Sequence, residues 1–290
     1  MRPSPCITGG TAVLEERRVD MLKRTIVGLV LIPLLLVVAL WAAKIVATLV
    51  IALFSAIAAY ELLFGTKLVR EPRLLLYTMV TAFLVPVWSY FGCAVPVAVL
   101  GILLFYALLF SELMASGLKL PFSKVGICMV AGIVIPFMFS ALVRVLCRED
   151  GRYFILVPFA AAFLSDIGAY FVGCFFGKHR LCPKISPKKT VEGFVGGIVT
   201  AMVGMVLYAL VLWLVTKVHV DYFAVLVYGL VGALAGVFGD LSFSVVKRQT
   251  GIKDYGNLFP GHGGVLDRFD SVIVVAPLIE VLLWLMPMAY

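Results

Sequence analysis

Charge is scarce in this chain of 290 residues: Asp, Glu, Lys and Arg make up 14%, against 63% apolar residues. Together with a mean hydropathy of +1.10, that balance excludes an ordinary water-soluble domain. Six cysteines (Cys6, Cys93, Cys128, Cys147, Cys174, Cys182) form no Cys-x-x-Cys pair and no Cys/His metal spacing, so they read as small apolar packing residues. There is no Gly-x4-Gly-Lys-Ser/Thr, no Gly-x-Gly-x-x-Gly, no His-Glu-x-x-His and no Gly-x-Ser-x-Gly. Their absence leaves no sign of the P-loop, dinucleotide fold, zinc-protease helix or hydrolase elbow. Solenoid repeats, heptads and low-complexity blocks are missing too.

What is abundant is apolar sequence in lengths of about 20 residues, enough to cross a bilayer as helix. Nine spans are expected, at roughly 26–43, 45–64, 75–92, 94–111, 125–146, 153–176, 194–216, 222–246 and 269–289. The expected fold is therefore an all-α polytopic membrane protein of about nine helices. Residues 1–20 are polar and irregular, without a signal-peptide pattern. They are expected to be a disordered extension, with Met21-Leu22-Lys23-Arg24 reading like a natural start. Residues 21–150 then form N-terminal transmembrane helices, and 151–290 carry the polar motifs.

A net charge of +8 could indicate nucleic acid, but in a membrane protein the position of the bases matters more. With the N-terminus inside, nineteen Lys and Arg fall on the cytoplasmic side and five outside, namely Lys44, Arg144, Arg148, Arg152 and Lys217. That bias sets the orientation. It also places loops 177–193 and 247–268 together in the cytoplasm.

The densest polar stretch is Ser244–Asp270, between two apolar runs. Lys247, Arg248, Lys253, Asp254, His262, Asp267, Arg268 and Asp270 interleave there with Gly256, Gly261, Gly263 and Gly264. Bases carry anionic oxygens, acids carry a metal ion, and glycines let backbone N–H groups come close, which suits a site for metal-bound phosphates. The plain alternative is a charged loop marking the water interface. Asp240, Ser244 and Lys247, spaced i, i+4, i+7, share one helix face. A carboxylate inside an apolar span costs about 2.5–3.5 kcal/mol at its centre, so Asp240 should face a cavity, an ion or a base. Asp267 and Asp270 lie three apart at the start of the last span, where acids also suit the helix dipole. Asp166 lies within the sixth span. Lys184, Lys188 and Lys189 with Ser186 and Thr190 precede a Gly-rich helix start, an anion-friendly end. Gly193-Gly197 and Gly232-Gly236 have the spacing that brings membrane helices close.

The order of these residues resembles a family. Ser244-x-Val246-Lys247-Arg248, Lys253-Asp254-x-Gly256 and Pro260-x-His262-Gly263-Gly264-Val265-x-Asp267-Arg268-Phe269-Asp270 are similar to the signature of the phosphatidate cytidylyltransferases (CDP-diacylglycerol synthases). The resemblance extends to Ser165-Asp166-x-Gly168-Ala169-Tyr170, Ser186-Pro187-Lys188-Lys189-Thr190-x-Glu192-Gly193 and Gly239-Asp240. It implies an integral membrane enzyme of phospholipid biosynthesis that converts CTP and phosphatidate to CDP-diacylglycerol and pyrophosphate. A bacterial cytoplasmic (inner) membrane is the expected location. The implied metal is Mg2+ on Asp240 and Asp267, with a second, monovalent or divalent, cation as a further candidate.

Catalytic roles are expected for Asp240, Asp267, Lys247 and His262. Substrate binding is expected for Ser186, Lys188, Lys189, Ser244, Arg248, Lys253, Asp254, Gly263, Gly264, Arg268, Asp270 and Asp166. Since a phosphate monoester is already anionic near neutral pH, His262 suits positioning or phosphate binding better than a strong-base role. Glycine-rich faces and the resemblance make a homodimer a candidate state; nucleic acid is not an expected partner. The competing readings are an ion-coupled transporter of an anion and a CTP-dependent lipid kinase. The Asp-Gly-x2-Ala-Arg pattern of enzymes that consume CDP-diacylglycerol is absent.

Overall fold

The computed structural model describes residues 36–92, 94–117, 119–259, 261 and 263–289. Among the described residues, seven helices are long and apolar enough to cross a membrane: α1 Lys44–Gly65, α2 Pro72–Phe91, α3 Val95–Ala115, α4 Phe122–Cys147, α5 Gly151–Phe176, α6 Val191–Thr216 and α7 Tyr222–Thr250. An eighth, α8 Leu266–Leu285, has the length but carries Asp267, Arg268, Asp270 and Glu280. These eight match the expected spans from 45–64 onward. The span drawn at 26–43 lies mostly outside the described residues, and so does the extension 1–20.

Turn chemistry explains how such closely spaced spans separate. Gly92 takes the left-handed conformation (φ 57°) that ends α2, and Pro96 opens the first turn of α3, the usual glycine-stop, proline-start pair. In α4 the π-type turn Val130–Val134 precedes Pro136. Proline lacks the N–H that would continue the ladder, and the wider turn accommodates the gap.

The expectation of a purely helical chain needs one addition. Arg180–Cys182 (β1) and Ser186–Thr190 (β2) pair antiparallel between α5 and α6. The hairpin satisfies the backbone of a short polar loop that has no helix to join.

The motif-bearing helices meet backbone to backbone. A Cβ on Gly193 or Gly197 would lie 2.7 Å from the carbonyl oxygens of Ala169 and Ser165 on α5, and one on Gly239 would lie 2.6 Å from that of Asp270 on α8. Small residues thus set the α5–α6 and α7–α8 distances. Phe269 anchors the start of α8, its ring centroid 5.5 Å from Phe54, 5.3 Å from Phe139 and 6.1 Å from Phe159. One ring from each of α1, α4 and α5 therefore fixes where the acids on either side of Phe269 point.

The two ends of the bundle differ. At one, Arg248 Nε donates to Ile185 O at 3.0 Å, tying α7 to the hairpin. At the other, Lys44 Nζ donates to Arg148 O and Arg148 Nη2 to Leu283 O, both at 3.2 Å. A recess of about 580 Å³ lies at this second end beside Arg148, Tyr153 and Trp284, with no signature residue in its wall.

Candidate active site

Three elements bring the signature together. The C-terminal turns of α7 supply Asp240, Ser244, Lys247 and Arg248, the loop 251–265 supplies the glycines, and the first turns of α8 supply Asp267, Arg268 and Asp270. The hairpin and α5 close the same end with Lys189 and Asp166.

Asp267 is held more completely than any other acid of the signature. Its side chain is 2% exposed. Oδ2 accepts from Tyr255 N at 2.7 Å and Gly264 N at 3.0 Å, while Oδ1 meets Lys247 Nζ at 3.1 Å. Gly263 makes this possible with a left-handed φ of 80°, a conformation that disfavours side chains. Lys247 Nζ also sits 5.4 Å from the centroid of the Tyr255 ring. The Tyr255 hydroxyl donates to Phe243 O at 2.8 Å, and burial, followed by nearby Asp267, pushes its phenol well above the usual range. Asp267 therefore joins α7, the glycine loop and α8 at one carboxylate.

Asp240 has a different setting. One oxygen is in ion-pair contact with Lys189 Nζ, and Ser244 Oγ is 3.5 Å from the other. The Lys189 ammonium is buried and not aligned for a hydrogen bond, so the contact is electrostatic. Asp166 and Asp270 both lie within electrostatic reach of Asp240, and Lys189 within reach of Asp166. Asp270 is buried and accepts from Ser271 N at 2.8 Å. Asp166 is exposed on α5, with Lys189 and Asp240 within electrostatic reach.

Around this acid cluster the bases face outward. Lys188, Lys253 and Arg268 are exposed, as is Asp254, and Ser186 is half-buried on β2. Thr190 Oγ1 caps α6 by accepting from Gly193 N at 3.1 Å. Glu192 accepts from the backbone N–H groups of Lys178 and His179 and lies 2.6 Å from His179 Nδ1, closing the hairpin onto α6. His262 lies outside the described residues.

Sequence reasoning missed two participants. Tyr255 occupies an unspecified position of the signature. Glu61, far upstream at the end of α1, accepts from Val265 N at 3.0 Å and Leu266 N at 2.8 Å. The signal for Glu61 was present: it is the only carboxylate in an apolar run from residue 45 to 65, and such acids rarely lie in spans without a partner.

Fold and site together define a polytopic helical membrane protein with carboxylates and bases gathered at one end of its last four helices. A cytidylyltransferase-family model matches residues 22–286. The chain is 36% identical over 271 residues to the phosphatidate cytidylyltransferase of Bacillus subtilis (strain 168), covering 91% of this chain and 98% of that one. It is 43% identical over 136 residues to the enzyme of the same name from Staphylococcus saprophyticus, covering 47% of this chain and 51% of that one. With the Staphylococcus haemolyticus enzyme of that name the figures are 37% over 178 residues, 61% and 65%. This chain belongs to the cytidylyltransferase family.

The family generally uses a divalent metal ion. Among the described residues no three His, Cys, Asp or Glu side chains lie close enough to cage one. The charge balance nonetheless fits. Asp166 and Asp270 lie within electrostatic reach of Asp240, which pairs with Lys189, while Lys247 pairs with Asp267 and is also felt by Asp270. With all three acids ionised, two negative charges remain uncompensated at membrane depth, and a divalent cation would balance them.

Proposed function

We propose that this chain is a phosphatidate cytidylyltransferase of a bacterial cytoplasmic membrane, joining CTP to phosphatidate with release of pyrophosphate. The observation that supports this most is the meeting of Asp166 and Asp270 with Asp240, itself paired to Lys189, from three membrane helices at the end where two basic loops meet through Arg248 and Ile185. Such a place serves a lipid phosphate arriving from the bilayer and a nucleotide arriving from water. Bacterial relatives bearing the enzyme's name favour this reading over transport or kinase activity.

In the reaction, a phosphate oxygen of phosphatidate attacks the α-phosphorus of CTP. A new P–O bond forms, the bond to the β-phosphate bridge oxygen breaks, and pyrophosphate leaves. Lys188, Lys253, Arg248 and Arg268 would bind the triphosphate, with Ser186 and Ser244 donating hydroxyl hydrogen bonds and Gly263 leaving room for the phosphates; Gly264, expected from sequence to bind substrate, gives its N–H to Asp267 instead. Lys189 would hold a phosphate oxygen at the acid cluster, and His262 would bind or position phosphate. Bound Mg2+, with a second cation as a further candidate, supplies positive charge to the phosphates. Asp240 would hold it, with Asp270 and Asp166 beside it. Asp267, expected from sequence to share the ion, would have to exchange Lys247 for it. The basic loops would face the cytoplasm, and a homodimer would be the assembled form.

The test is purified protein with CTP, phosphatidate and Mg2+, the products identified chromatographically. Pyrophosphate and CDP-diacylglycerol are expected. Release of CDP would instead indicate a kinase, and ion-driven uptake into vesicles without nucleotide turnover would indicate a transporter.

A further inference from the structure

Glu61 opens the π-type turn Glu61–Gly65 at the end of α1 and is 4% exposed. Its two oxygens accept the backbone N–H groups of Val265 and Leu266, where α8 begins. A helix N-terminus presents unpaired N–H groups and the positive end of its dipole, usually met by a nearby Ser, Thr or Asp. Here Val265, at the cap position, has no side-chain cap of its own. The acid that fills the role comes from 204 residues upstream.

Two glycines of the signature face the same carboxylate. A Cβ on Gly256 would lie 2.5 Å from Glu61 Oε1, and one on Gly264 would fall closer still to Oε1, Cδ and Oε2. At both positions all three nearest atoms belong to Glu61. Among the described residues the positive-φ glycines are Gly92, Gly117, Gly251, Gly261 and Gly263, so neither Gly256 nor Gly264 needs glycine for its backbone conformation. What excludes a side chain at either position is Glu61. In return, Gly65 in the same α1 turn lies against Tyr255 O, where a Cβ would overlap the carbonyl.

We propose that Glu61 is a positioning residue for the transfer reaction, the post on which segment 255–266 docks, and that Gly256 and Gly264 are glycine in order to admit its carboxylate. The link to chemistry runs through Asp267, whose Oδ2 accepts from both Tyr255 and Gly264. Fixing those two backbones fixes the seat of Asp267, and the same helix turn carries Asp270. The N-terminal half thereby enters the site without touching substrate. The catalytic part of this inference rests on the reaction proposed above.

The test is a double-mutant cycle between Glu61→Asp or Glu61→Ala and Gly264→Ala, read by thermal melting in detergent and by pyrophosphate release. Gly264→Ala alone should lower the melting temperature and reduce kcat by about tenfold or more, as a displaced loop misplaces Asp267. Both Glu61 variants should also lose kcat, with KM for CTP within about threefold of the parent, because most of the basic clamps lie on other elements. Combining Gly264→Ala with either Glu61 variant should cost nothing further and recover part of the melting loss. Glu61→Gln, which keeps the bulk, should not rescue Gly264→Ala. Normal behaviour of Gly264→Ala, additive losses in the cycle, or failure of both Glu61 variants to accumulate would each overturn the proposal. If the parent releases no pyrophosphate, the proposed reaction fails, while the melting cycle still decides the role of Glu61.

Discussion

Replacing Asp267 by Asn removes the negative charge that Lys247 meets inside the bundle while leaving an oxygen of the same reach. The two side chains are 14% and 2% exposed, so the ammonium stays largely dry when its partner is neutralised. Breaking a buried ion pair from one side costs about 3–5 kcal/mol. The Asn carbonyl can still accept from Tyr255 and Gly264, so no penalty for orphaned backbone N–H groups is added. Because Lys247 retains some exposure, the loss should sit near the lower bound, about 3 kcal/mol, or roughly 6–12 °C in melting temperature for a chain of this size. Purified protein melted in detergent with EDTA isolates this effect from any bound ion. Adding Lys247→Met should recover more than half of the loss, because it removes the stranded charge. The reasoning fails if Asp267→Asn melts with the parent in EDTA but loses protection by Mg2+, which would make Asp267 a metal ligand instead of the strut that joins α7, the loop and α8.

Asp240→Asn should fold yet lose at least about a hundredfold in rate, since it weakens both the hold on a cation and the placement of Lys189. A near-normal turnover at saturating Mg2+ would remove Asp240 from the site. In a chain without exposed native thiols, cysteines at Lys188 and Lys253 should react with an impermeant reagent from the cytoplasmic side, and one at Glu149 from the outside. Labelling of Lys188 and Lys253 positions from opposite sides would break the shared site. Arg144 grips Glu280 through Nε at 2.7 Å and Nη2 at 2.8 Å, joining α4 to α8. Glu280→Gln should therefore lower the melting temperature by an amount worth less than the Asp267 pair, at most about 3 kcal/mol, with KM for CTP unchanged in steady-state assays.

Much of this architecture was legible because membrane helices declare themselves locally. Length and apolarity define α1 to α7 without reference to any partner, and a glycine or proline suffices to separate α2 from α3. Gly193 and Gly197 were legible for the same reason, since close helix approach leaves a small-residue signature. The hairpin was not. Ser186-Pro187-Lys188-Lys189-Thr190 has no alternation of apolar and polar residues, and it forms a strand only because Arg180–Cys182 lies beside it. The site divided along the same line. Spacing put Asp240, Ser244 and Lys247 on one face, where the structure has them, but spacing cannot tell which acid has its oxygens already engaged. Asp267 and Asp270 look alike in sequence, yet one is saturated by Lys247 and two backbone N–H groups, while the other accepts from Ser271 N and lies within electrostatic reach of Asp240. Glu61 escaped motif reading because its hydrogen-bond partners are the backbone N–H groups of Val265 and Leu266, whose side chains do not announce it.

The span between Glu61 and its partners also has a meaning in time. Val265 is made 204 residues after Glu61, which at roughly 5–20 residues per second is about 10–40 s of synthesis. Throughout that interval α1 is in the membrane with a carboxylate whose seat does not yet exist. A carboxylate at the centre of a span costs about 2.5–3.5 kcal/mol on insertion scales, and less near its end. Glu61 stands at the end, one turn from water, where a nascent helix can keep it hydrated until α8 arrives. Docking of α8 then withdraws that acid from solvent, so the burial of Glu61 and the completion of the signature loop are one step.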